Sequence, residues 1–215
     1  MNSIRLGAAL TLALRIPAVL RAAPFMALEI EQLAIPDVKI VRTKKFGDAR
    51  GFFSETYNKK AFAEAGLDFE FVQDNQSFSR PVGTIRGLHA QVQPLAQHKL
   101  VRVMRGRIWD VAVDIRPASP TFGKWVAAEI SVEAWNQIFI PIGFLHGFCT
   151  LESDTEVSYK VSNFYSANHE FGVRWNDPQL NIAWPVAGND ATLSDKDRAL
   201  PPFKELFAGR ELRTG

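Results

Sequence analysis

His89 stands in the segment RGLHAQ, three residues after Arg86, and Lys99 follows in the next strand-like stretch. An imidazole titrates near pH ~6.5 in its ordinary state, which suits it to take a proton near neutrality. Two cations beside it suit an anionic substrate, or an enolate formed next to a carbonyl. A guanidinium is the better clamp for a diphosphate because its planar fork is bidentate. An ammonium is the better point charge on one oxygen. Tyr159, in EVSYKVSNFY, carries a phenol with an ordinary pKa of about 10, so it can donate a proton. Asp197 could orient His89 and stabilise its imidazolium, as the carboxylate does in a catalytic triad. Each residue also has a plainer reading. His89 and Tyr159 can be interior groups with hydrogen-bond partners, Arg86 and Lys99 can belong to a solvated face, and Asp197 can serve a helix cap.

The remaining histidines are His98, His146 and His169. A metal-binding strand of this kind usually offers an H-x-H pair, supported by a Glu and a later His. Here Gln91 stands where the second ligand would be, and Gln is a poor transition-metal ligand. No metal is therefore expected. The single cysteine, Cys149, excludes an internal disulfide framework and a Cys-based zinc cluster, and points to a reducing cytoplasm.

These groups need a frame, and the chain reads as mostly strand from Val38 onward. In HKLVRVMRGRIWDVAVDIR, residues 98–116, Val101 and Val103 alternate with Arg102 and Met104. Trp109, Val111, Val113 and Ile115 alternate with Asp110, Ala112 and Asp114. Such period-two patterning predicts strands with one buried face, broken by a tight turn at Arg105-Gly106. Further strands are expected at 38–43, 69–73, 84–91, 125–131, 136–140, 144–151 and 155–162. Asn58 can cap a short helix over 59–65 that Gly66 ends, and Ser194 opens an S-x-x-D pattern capping a helical turn before Pro201. Many close strands and little helix indicate a sandwich or barrel. The 215 residues, 47% hydrophobic and 22% charged, suit one globular domain with a sizeable core.

The formal charge of +2 comes from the first 25 residues, which hold Arg5, Arg15 and Arg21 and no acid; the rest carries −1. The balance thus gives no argument for nucleic acid as a partner. Arg5 and the apolar run Leu6–Leu14 resemble the start of a signal peptide, but Arg15, Pro17 and Arg21 interrupt it. The run is also far short of the ~20 apolar residues that a membrane span needs. Residues 1–25 are read as a leader from an over-extended start site or a disordered extension, with export as the alternative, 26–206 as the domain, and 207–215 as a loose tail.

Ten collinear segments, among them FGDARGFFSETYN (46–58), FVQDNQS (71–77), IRGLHAQ (85–91), KLVRVMRGRIWDVAVDIR (99–116), IPIGFLHGF (140–148), SYKVSNFY (158–165) and LSDKD (193–197), resemble the dTDP-4-dehydrorhamnose 3,5-epimerase family. The resemblance implies an all-β fold, a cupin-type antiparallel barrel (jelly roll) with a few short helices, assembled as a homodimer and needing no cofactor. It implies a dTDP-linked 4-keto-6-deoxy sugar as substrate. His89 would be the base, supported by Asp197; Tyr159 the proton donor; and Lys99 the neighbour of the keto oxygen. Substrate contacts would fall to Arg50, Glu55, Gln73, Asp74, Asn75, Arg86, His146, Glu170 and Lys196. Tyr165, beside Phe164, would stack on the thymine.

Three positions depart from the family pattern. Ala90 replaces a Tyr or Phe, which would trim the pocket wall beside the base. His98 stands where Gly is common before the lysine, and Ile142 replaces the usual Glu of IP-E-G. The expected activity is inversion at C3 and C5 in dTDP-L-rhamnose biosynthesis. The alternatives are a 3- or 5-only epimerase, a non-catalytic cupin that binds a sugar nucleotide, and a metal-dependent cupin oxygenase.

Overall fold

Residues 28–206 are described by the computed structural model; the leader-like segment and the C-terminal tail lie outside them. The chain begins with β1 (Glu29–Gln32) and β2 (Lys39–Arg42), then a hairpin of β3 (Phe46–Asp48) and β4 (Gly51–Phe53). Helix α1 (Lys59–Glu64) follows. Next come β5 (Gln73–Ser79), β6 (Ile85–Gln91), β7 (Lys99–Arg105) and β8 (Arg107–Asp114). The series continues through β9 (Trp125–Ser131), β10 (Asn136–Ile140), β11 (Phe144–Thr150), β12 (Thr155–Val161) and β13 (Glu170–Gly172), and α2 (Asp195–Arg198) lies near the end.

Two antiparallel sheets face each other, ordered β1-β2-β10-β7-β12-β5 and β13-β6-β11-β8-β9. Between β5 and β12 the chain changes sheet at every connection except β8 to β9, which is the strand plan of a jelly roll. The Arg105-Gly106 turn is present, but it carries the chain from one sheet to the other. Gly106 has φ +79°, and a Cβ there would stand 2.5 Å from Thr155 Oγ1.

Ile40, Val101, Val103, Ile138 and Val157 from one sheet meet Ile108, Ala112, Val126, Ile130 and Phe148 from the other. The face of β8 carrying Val111 and Val113 turns outward, where Phe171, Val173, Leu180, Phe203 and Leu206 cover it. Asp110 and Asp114 are therefore both fully buried. This corrects the expectation of one buried face: each side of β8 is covered, so its acids must find partners inside. Asp114 finds them in Arg116, Ser119 and Thr121.

The strand expected at 69–73 lies at 73–79 instead. Phe69 and Phe71 pack with Phe62, Leu100 and Phe139 on the outside of the six-stranded sheet. The inward residues of β5 are polar, so its alternation carries no hydrophobic signal. β1, β3, β4 and β13 were not anticipated either. Both helices start where expected: Asn58 Oδ1 accepts from Ala61 N at 3.2 Å, and Ser194 Oγ accepts from Asp197 N at 3.1 Å. Among the described residues no helix is long and apolar enough to cross a membrane.

Candidate active site

At one end of the sandwich the inter-sheet space opens into a cavity of about 110 Å³. Gln73, Asn75, Lys99 and Tyr159 line it from the six-stranded sheet, and His89, Gln91 and Glu170 from the five-stranded sheet. Tyr159 lies opposite Val101 on β7 and Asn75 on β5, so strand alternation points all three toward the facing sheet.

His89 reaches this position through an irregularity in β6. His89 pairs with His146, but Arg86 pairs with Phe148, so three residues on β6 span two on β11. The extra residue puts Arg86 and His89 on one side of the sheet. Gly87 permits it: its φ is +118°, and a Cβ there would stand 2.6 Å from both Gly147 Cα and His146 O.

His89 Nε2 lies 2.6 Å from Asp197 Oδ1. Burial opposes ionisation of Asp197, but hydrogen bonds from His89, Ser194 and the Gly87 backbone outweigh it and hold the carboxyl below its ordinary range. The short helix therefore presents its third residue to the base, and capping by Ser194 fixes where that residue falls. Lys99 Nζ lies 3.5 Å from His89 O. Burial lowers its ammonium to about 8, against the pull of Asp110 and Glu170. Burial raises the Tyr159 phenol, which keeps its proton at neutral pH.

At the mouth, Tyr165 Oη donates to Glu170 Oε2 at 2.9 Å, and Lys196 Nζ pairs with the same oxygen. The segment that carries Tyr165 is held by its main chain. Gln73 Oε1 accepts from Tyr165 N at 3.0 Å, Gln91 Oε1 from Ser166 N at 2.7 Å, and Gln91 Nε2 donates to Phe164 O at 3.1 Å. Gln91, first read as a missing metal ligand, is thus an anchor for this loop. Its position two residues from His89, on the same face, was the available signal. Among the described residues no group of three or more His, Cys, Asp or Glu could hold a metal ion.

His146 is buried, with Nε2 2.9 Å from Asp110 Oδ2. Burial lowers its pKa more than Asp110 raises it, so the ring is neutral. Asp110 went unremarked in the sequence because it alternates with apolar residues as a solvent-facing acid would.

Other expected contacts fall elsewhere. Asp74 does not line the cavity: it alternates with Gln73 and Asn75, faces outward, and pairs with Lys160 at 2.8 Å. Arg50 sits at the exposed tip of the β3–β4 hairpin, paired with Asp48, and Glu55 accepts from Asn58 Nδ2 at 2.9 Å; neither lines the cavity of its own chain. Arg86 stands just outside it, donating to Ser79 Oγ and Phe78 O, with its charge felt by Tyr159. Ala90 adjoins the cavity, but it packs in the outer cluster with Leu88 and Phe171. Ala90 therefore contributes to the cavity lining while its side chain packs against the outer cluster.

An imidazole with its own carboxylate faces a phenol and an ammonium inside a jelly roll, an arrangement suited to a cupin-type isomerase. A family model described as dTDP-4-dehydrorhamnose 3,5-epimerase matches residues 32–205. The dTDP-4-dehydrorhamnose 3,5-epimerase of Shigella flexneri is 55% identical over 164 residues, 76% of this chain and 89% of that protein. The crystal structure of the Bacillus anthracis enzyme with TDP and PPi bound is 50% identical with a TM-score of 0.79, covering 82% of this chain and 99% of that one. The Legionella pneumophila enzyme in complex with dTDP-4-keto-L-rhamnose is 43% identical with a TM-score of 0.80, covering 85% and 96%. The chain belongs to the dTDP-4-dehydrorhamnose 3,5-epimerase family.

Proposed function

We propose that this protein converts dTDP-4-dehydro-6-deoxy-D-glucose to dTDP-4-dehydro-L-rhamnose by inverting C3 and C5, in the cytoplasm, for dTDP-L-rhamnose biosynthesis. One observation carries the reading: His89, paired with Asp197, and Tyr159 line a single cavity from opposite sheets, with Lys99 beside them. The C4 ketone acidifies the hydrogens on C3 and C5, so the reaction asks for no cofactor. His89 takes one proton, and Asp197 stabilises the imidazolium that forms. Lys99 holds the enolate oxygen as charge develops on it. Tyr159 returns a proton to the other face, which inverts the carbon. Two residues are required because one group cannot serve both faces of a ring.

The nucleotide end is assigned to the mouth. Tyr165 stacks on the thymine, Arg86 and Lys196 meet the diphosphate, and Gln73, Asn75 and Glu170 complete the contacts, while His146, expected as a contact, acts from behind His89 through its pair with Asp110. The homodimer gives Arg50 and Glu55 a place. Their hairpin and the segment after it stand clear of their own cavity, and exposed Phe52 and Phe53 at its base offer apolar surface to a second subunit. In this arrangement one subunit's Arg50 and Glu55 approach the other's cavity.

Incubation with the 4-keto-6-deoxyglucose nucleotide in deuterated water tests the reading. Deuterium at both C3 and C5, with inverted product, is the expected result. Label at one carbon would make the protein a single epimerase, and binding without label would make it a non-catalytic sugar-nucleotide protein.

A further inference from the structure

Two of the three departures from the family pattern meet in space, at the point where Lys99 enters the barrel. His98 precedes Lys99 and so faces outward, away from the cavity. Its ring stacks on Phe69 at 3.8 Å between centroids and on Phe139 at 5.7 Å. Its Nδ1 accepts the backbone N–H of Ile142 at 3.3 Å. That N–H belongs to the turn between β10 and β11, the strand that carries His146. The main chain of His98 is gripped as well: its N–H donates to Ser162 Oγ at 2.8 Å, and its carbonyl accepts from Ser162 N at 3.1 Å. Position 98 thus ties together the segments around Phe69, Ile142 and Ser162, immediately before the cationic residue of the site.

We propose that His98 is a positioning residue for Lys99, acting through the hydrogen bond from Ile142 that pins the chain two residues beyond Ile140, the partner of Lys99 across β10 and β7. This rests on Lys99 holding the developing oxyanion. An acceptor nitrogen must lack a proton, so the ring has to stay neutral, with its hydrogen on Nε2. Burial secures this by lowering the imidazole to about 4, well below working pH. Without the pin, the half-buried Ile142 N–H loses its partner, the chain just beyond the Ile140–Lys99 pairing loosens, and water reaches the Lys99 ammonium. The groups acting on that ammonium are Asp110 from β8, Glu170 from β13 and His146 from β11. The charges of Asp110 and Glu170 stay in place and His146 is neutral, so relief of desolvation alone moves Lys99 upward, toward its ordinary value.

His98→Phe keeps the stack and removes the acceptor; His98→Asn keeps an acceptor near the Nδ1 position and gives up most of the stack. For His98→Phe, kcat falls about tenfold with KM little changed, as expected when a half-buried N–H is left unpaired away from the bound sugar. The alkaline limb of its pH–kcat profile moves up by about half a unit. His98→Asn restores kcat to within about twofold and returns the limb to its place. Should His98→Phe fold poorly, His98→Ala against His98→Asn makes the same comparison. Wild-type kcat and limb in the acceptor-less variant overturn the proposal, and so does an equal loss in His98→Asn. Lys99→Met is measured alongside. If it keeps full turnover, the role of Lys99 itself fails; if it loses turnover while His98→Phe does not, only the positioning role fails.

Discussion

Two histidine–aspartate pairs lie side by side in this protein, since His89 and His146 are direct partners across β6 and β11. His89 bonds Asp197 at 2.6 Å and His146 bonds Asp110 at 2.9 Å, so contact geometry barely separates them. Surroundings do. The His89 side chain is 24% exposed, against 9% for His146, and only His89 lines the cavity surface. Asp197 arrives on a short capped helix 108 residues away in sequence. Asp110 comes from the adjacent strand of the same sheet. Two similar His–Asp pairs thus differ in access to the cavity, and the proposed function assigns the chemistry to the open one. The other is closed within the core.

Mutations should pull the pairs apart. The largest effect is expected for His89→Ala, a loss of about 10²–10⁴-fold in kcat with substrate binding nearly unchanged, measured in steady-state kinetics. Turnover within tenfold of wild type would remove His89 as the base. Asp197→Asn should cost roughly 10–100-fold in kcat, the scale of one charge-assisted hydrogen bond worth ~1.5–3 kcal/mol. It should also flatten the acid side of the stability curve. The folded pKa of Asp197 is depressed, so its contribution is complete above its ordinary value of 3.8 and fades as pH falls through the lower folded value.

Rising pH should act through Lys99. Its ammonium is lost as pH rises through about 8, so kcat should fall about tenfold per unit well above that point. An alkaline limb that Lys99→Met leaves in place would assign it to another group. At the sealed pair the loss should appear as stability: Asp110→Ala leaves buried His146 without its acceptor and should cost about 1–3 kcal/mol in denaturant unfolding. The smallest effect is expected far from both pairs. Asn58→Ala removes the cap of α1 and should cost about 1 kcal/mol while kcat stays the same.

The sequence made the open pair visible and left the sealed one hidden. His89, Lys99, Tyr159 and Asp197 sit in motifs whose residue types suggest proton transfer, and the strands around them show clear alternation. Asp110 escaped because periodicity reports which residues differ from their neighbours, not which face is covered. On β8 both faces are covered, and the acid points inward. β5 was displaced for the converse reason: its inward residues are Gln73, Asn75 and Ser77, so the rule that apolar means inside had nothing to follow. The placement of Arg50 and Glu55 away from the cavity was not legible at all, because a local motif does not encode where its hairpin lies relative to the other strands.

The loop bearing Tyr165 is fastened by three main-chain bonds, through Gln73 and Gln91, in addition to the single bond from its phenol to Glu170. Mounting and fitting are therefore separate. Another flat side chain could replace the phenol without breaking the main-chain bonds of the loop, so under the proposed function the ring can change over generations while the cavity below keeps its alignment.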